Sequence, residues 1–148
     1  MVTLQLSKNR TYGILDTKYF YEAAYISNYD GDTIDFNVKR ESDFGFGIKT
    51  VSYYDITVRS CGINACEMRG GTAESKAKGI ASRDYVAKQL FRAKKIYLQT
   101  FKDKRDRRDK GKYGRYLAVI WYIPRGGKYF RNLNEELVTK GYAKEASY

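Results

Sequence analysis

Two stretches of strict alternation, Ile34-Phe36-Val38 and Tyr54-Ile56-Val58, leave this chain little choice but a sheet with one dry face. In a strand, successive side chains point to opposite faces, so an apolar residue at every second position buries one of them. The turn Asn28-Tyr29-Asp30-Gly31 precedes the first run, and the Gly-bearing stretch Asp43–Gly47 separates the two as a hairpin loop. Tyr21–Ile26, Lys95–Phe101 and Tyr116–Ile123 read as further strands, rich in aromatic and β-branched residues. The period changes over Ile80–Ala93, where Val86, Leu90 and Ala93 recur at three and four, with Ala87 and Phe91 beside them; this predicts an amphipathic helix, capped by Ser75 or Ser82. Asn132–Lys140 is a second, shorter helix, stopped at Gly141. Strands followed by helices predict an α+β domain, with five short strands closing into a small barrel around one core and two to three helices. At 148 residues the chain suits a single domain, 1–148.

Composition narrows the chemistry. The chain carries a formal charge of +11 and no histidine. Excess positive charge attracts polyanions, of which nucleic acid is the commonest. Without imidazole, any general base must be Asp, Glu, Lys or Tyr. Cys61 and Cys66 lie five apart; two thiols without histidine make a poor zinc site and read as reduced, mostly buried groups. There is no apolar leader core, no amphipathic membrane helix and no apolar run longer than Leu117–Ile123, so the expectation is a cytoplasmic protein without membrane attachment.

Three segments stand out. Tyr29-Asp30-Gly31-Asp32-Thr33 is a turn that enters a strand with two carboxylates. In Val58-Arg59-Ser60-Cys61-Gly62-Ile63-Asn64-Ala65-Cys66-Glu67 a strand runs out into a loop, with Arg at its start and Glu at its end. An arginine inside an alternating strand demands an anionic partner. Lys112-Tyr113-Gly114-Arg115-Tyr116 carries a basic loop into a strand. Just before it, Lys102–Lys112 is too charged to be buried and reads as a loop able to follow a phosphate backbone. Fifteen tyrosines exceed what a core needs, and some are available to stack on bases.

Taken in order, these segments resemble the staphylococcal nuclease (thermonuclease) family of OB-fold nucleases. Its Asp-Gly-Asp-Thr turn, Arg strand leading to Pro-Glu, and Tyr-Gly-Arg entry have counterparts here. Ala93-Lys94-Lys95-Ile96 and Asn132–Lys144 resemble its flanking helices. The resemblance runs from about Tyr25 to the C-terminus. The first 20 residues have no counterpart, and 39–52 form an extended hairpin insertion. By resemblance, Asp32, Asn64 and the Ala65 carbonyl are ligands of Ca²⁺, a hard cation suited to oxygen donors. Glu67 is then the general base for the attacking water. Arg59 and Arg115 clamp the phosphate, and Lys112 and Tyr113 hold the neighbouring one. The implied activity is metal-dependent endonucleolytic hydrolysis of DNA or RNA, of low sequence specificity, leaving 3′-phosphate ends, by a monomer.

The sequence departs from the family pattern at Asn64, where a second metal carboxylate is expected. One negative charge is lost, which weakens metal affinity and opens the site to other divalent metals. Cys66 replaces a loop proline, so the loop aiming Glu67 is less rigid unless a Cys61–Cys66 bond stiffens it. The alternative function is a nuclease-like module with weakened catalysis that holds nucleic acid or a protein partner. An unspecific nuclease lacking an export signal suits a viral or mobile-element setting.

Overall fold

The computed structural model describes residues 2–6, 10–15, 19–65, 71–100 and 116–145, with side chains described over 19–63, 71–100 and 116–145. Ten strands and two helices follow in the order β1 Val2–Leu6, β2 Arg10–Leu15, β3 Phe20–Asn28, β4 Thr33–Asp43, β5 Lys49–Ser60, β6 Ile63–Ala65, α1 Ala73–Arg92, β7 Lys95–Thr100, β8 Tyr116–Ile123, β9 Arg131–Asn132, α2 Leu133–Thr139 and β10 Ala143–Glu145.

Five of these strands close on themselves. The order β5-β4-β3-β7-β8 is completed by a return pairing of β8 with β5, which makes the expected five-stranded barrel. Every junction is antiparallel except the closing one, where Val58, Arg59 and Ser60 run parallel to Tyr116, Leu117 and Ala118. Alternation decides what the barrel encloses. Ile34, Phe36, Val38 and Val58 turn inward with Ile96, Leu98, Ala118, Ile120 and Tyr122, and all are buried. Val86 and Leu90 of α1 and Leu133 and Leu137 of α2 plug this core. A smaller apolar cluster, Trp121 and Phe130 with Phe20, Tyr97, Val119 and Ile123, lies apart from it. The Trp121 indole donates to Gln99 at 3.0 Å. The N-terminal hairpin β1–β2 lies against β9.

The helices differ from the sequence expectation in one respect. α1 begins at Ala73, capped by Thr72, whose hydroxyl accepts from the Ser75 backbone N–H at 3.2 Å, so neither Ser75 nor Ser82 is the cap. Its buried face is Gly79, Ser82, Val86 and Leu90, spaced three, four and four. The first two of these are small, so the apolar pattern starts late although the helix does not. Phe91 is 80% exposed. α2 is capped by Asn132, and Gly141 follows it at a positive φ of 79°, a conformation that glycine takes without steric penalty. Glu136 of α2 accepts from the hydroxyls of Tyr85 on α1 and Tyr122 on β8, the latter at 2.6 Å. Burial and then this carboxylate push both phenols upward. One carboxylate thereby ties both helices to the barrel.

Candidate functional site

The site begins where β4 and β5 start their ladder. Thr33 lies opposite Arg59, and the turn before Thr33 folds back over the end of β5. Asp30 shapes that turn: its Oδ1 accepts from the backbone N–H groups of Asp32 and Thr33, at 3.0 and 2.9 Å. Asn28 anchors the turn to α1, its amide donating to the carbonyls of Asp30 and Arg83, each at 3.0 Å. The Ser60 N–H donates to the Asp32 carbonyl at 2.9 Å, so the turn is fastened to β5 by backbone as well.

This scaffold buries a charge pair. The Asp32 side chain is 5% exposed and that of Arg59 16%, and Asp32 Oδ2 pairs with Arg59 Nη1. Asp32 Oδ1 accepts from the Thr33 hydroxyl at 3.3 Å, and Arg59 Nη2 donates to the Ile63 carbonyl at 3.5 Å. The anion that the sequence required for an arginine within an alternating strand is therefore Asp32. Asp30 crowds the same corner. Burial, then the hydrogen bond and the charge of Asp32, push its carboxyl up to about 6. Among the described residues, two carboxylates and one guanidinium share this largely buried turn.

The other wall is the parallel closure. β5 leaves the barrel at Ser60 and turns through Cys61-Gly62, with Gly62 at a positive φ of 80°, into β6. The first step of this turn is held by the Cys61 N–H donating to the Ala118 carbonyl at 2.7 Å. Its second fastening is Asn134, on α2 and only 4% exposed. The Asn134 amide donates to the carbonyls of Cys61 at 2.8 Å and Ala118 at 3.2 Å, and its oxygen accepts from the Ile120 N–H at 3.2 Å. One primary amide thereby stands in for a strand residue where β8 runs past the end of its pairing with β5. Sequence reasoning gave Asn134 no role; its signal was a polar residue next to Leu133 on the buried side of a short helix. Cys61 is half-buried, and burial pushes its thiol up.

The structure brings Asp32 and Arg59 together. The backbone of Asn64 and Ala65 lies in β6, paired with Lys144 and Ala143 of β10. Arg115 precedes β8 by one residue, and Tyr116 pairs with Val58 beside Arg59. Arg115, Glu67, Lys112 and Tyr113 lie outside the described residues, as do Cys66 and the basic stretch Lys102–Lys112. Among the described residues, no three acidic, cysteine or histidine side chains converge as a ready metal cluster.

A family model for staphylococcal nuclease homologues matches residues 57–148. The match opens on β5 two residues before Arg59, so β3, β4 and the Asp32 turn precede it. No curated protein matches the chain.

Proposed function

The chain belongs to the staphylococcal nuclease family, and on that premise we propose that it is a metal-dependent endonuclease hydrolysing phosphodiester bonds of DNA or RNA with little sequence preference. The observation that carries this reading is the buried Asp32–Arg59 pair at the mouth of the β4–β5 ladder. A guanidinium is a fork that matches two phosphate oxygens, and a carboxylate in a water-poor turn is a strong oxygen donor.

The donor chemistry fits a hard divalent cation. Asp32 would hold it, with Asn64 and the Ala65 carbonyl by the family resemblance, and Ca²⁺ is the first choice for an all-oxygen set. Burial first, and then the hydrogen bond and charge of Asp32, hold the Asp30 carboxyl near 6; a cation at Asp32 would offset only the charge. When bound, the ion would add positive charge at the non-bridging phosphate oxygens. Arg59 balances Asp32 in its absence and presents its fork to a phosphate when Asp32 serves as ligand. Arg115 would complete the clamp, Glu67 would take the proton of the attacking water, and Lys112 and Tyr113 would hold the next phosphate. The 3′-phosphate product follows from the same resemblance. A net charge of +11 draws the polyanion in.

The second reading is a module that binds nucleic acid or a protein partner with weakened catalysis. Asn64 favours it, because the site then has one fewer negative ligand. Cleavage of a fluorescent single-stranded DNA in Ca²⁺, Mg²⁺, Mn²⁺ or EDTA separates the two. The nuclease reading expects metal-dependent cutting that Glu67→Gln abolishes and Asn64→Asp increases. No cutting by the native chain in any metal, with binding intact, selects the module.

A further inference from the structure

β4 and β5 do not stop where the barrel does. The last pair that β4 shares with β3 is Val38 with Ala23, yet its ladder with β5 continues to Asp43 opposite Lys49. Past the barrel it is a two-stranded ribbon, which is marginal in water by itself. It is also apolar: Phe44, Phe46, Ile48, Val51, Tyr53 and Tyr54 are exposed, Phe46 at 85% and Tyr53 at 63%. Among the described residues, the outer edge of β5 meets a strand only at Val58–Ser60, through β8. Lys49–Thr57 therefore presents a row of backbone donors and acceptors with Thr50–Tyr54 uncharged, a template for another strand.

We propose that this edge pairs with the same edge of a second copy, in place of the monomer that the family resemblance implies, β5 against β5, antiparallel about a two-fold axis through Ser52. The charge pattern singles out that register. With Ser52 opposite Ser52 of the second copy, Lys49 faces Asp55 and Asp55 faces Lys49 across the seam. Val51 then faces Tyr53, and Thr50 faces Tyr54, both favourable cross-strand combinations. Ile48 faces Ile56, and the pairing ends one residue before Val58, where β8 takes over the edge. Moving the axis by one residue either way separates Lys49 from Asp55. A two-fold axis perpendicular to the sheet keeps Lys49, Val51, Tyr53 and Asp55 of both copies on one face, the face that carries Arg59 farther along β5. Two chains of +11 repel each other, so the pair gains from added salt, whereas attachment to nucleic acid is lost. The inference is independent of the nuclease reading.

The test is sedimentation equilibrium, by analytical ultracentrifugation, of the full chain freed of nucleic acid, over a concentration series in moderate and high salt, with thermal melting to check folding. The native chain reaches the mass of two copies. Lys49→Glu or Asp55→Lys places like charges opposite each other twice and raises the dissociation constant roughly tenfold. The double variant Lys49→Glu/Asp55→Lys restores the complement and the native constant. A single-copy mass throughout the series overturns the proposal. So does a double variant as weak as either single one, or a pair indifferent to all three changes.

Discussion

At its Thr33–Arg59 end the β4–β5 ladder is fastened to neighbouring elements; at its Asp43–Lys49 end, among the described residues, the two strands pair only with each other. The first end has Asp32 against Arg59, Asp30 across two N–H groups, Asn28 tied to α1 and Asn134 clamping the exit of β5. Its outer face is laced as well: Asp35 accepts from the Thr57 hydroxyl at 2.6 Å, and Asp55 from the Asn37 amide at 2.8 Å. The second end, roughly 34 Å away at about 3.4 Å per residue, offers Phe44, Phe46 and Ile48 to solvent. One pair of strands thus carries a fixed, buried charge pair at its root and an exposed apolar surface at its tip. Chemistry needs groups fixed before substrate arrives, while a surface that meets another macromolecule is completed only on contact.

The largest effect expected at the root is from Arg59→Ala, which removes the guanidinium paired with buried Asp32 and should cost about 3–5 kcal/mol of stability, read by denaturant melting. Arg59→Lys keeps the charge but not the fork. It should fold while losing roughly 3–4 kcal/mol of transition-state stabilisation in a cleavage assay. If Arg59→Lys cuts normally, the root is a structural ion pair and no more. Asn134→Leu comes next. It strands the Cys61 carbonyl and the Ile120 N–H, while the Ala118 carbonyl keeps the Cys61 N–H, and should destabilise by about 2–3 kcal/mol, whereas Asn134→Asp keeps the acceptor and loses both donated bonds. A smaller effect belongs to Cys61. A thiol whose ionisation is pushed up contributes stability that is complete below its ordinary range and fades as pH rises through the raised value. The Cys61 contribution to melting temperature should therefore be flat through neutral pH and fall in alkali, and Cys61→Ala should remove that part of the alkaline fall. Least of all, Phe46→Ser at the tip should change melting by no more than about 0.5 kcal/mol. A large loss there would mean that the tip packs on its own chain, which would erase the contrast.

Much of the root was legible because its logic is local. Alternation placed Ile34, Phe36, Val38 and Val58 in the core, and an arginine between two inward residues had to meet an anion. Naming that anion needed the ladder, since Asp32 and Arg59 are far apart in sequence. The start of α1 was missed because Gly79 and Ser82, the residues it packs inward, are small and carry no apolar signal. Asn134 was missed for the converse reason: a buried amide looks like a surface residue until its three partners converge from β5 and β8. At the tip, the family resemblance marked 39–52 as an extended hairpin, but Val51 and Tyr53 fall on the face opposite Tyr54, Ile56 and Val58, so alternation alone does not say how far the strand runs.

The parallel junction of β8 with β5 has a consequence for how the protein comes into being. Synthesis proceeds from the N-terminus, so Asp32 and Arg59 leave the ribosome long before Ala118 and Asn134. Until those late residues arrive, the ring is open and the Cys61 carbonyl has no clamp. A nascent or truncated chain therefore holds the charged pair without the frame that aims it. The frame around Arg59 is therefore complete only once the chain through Asn134 has been made.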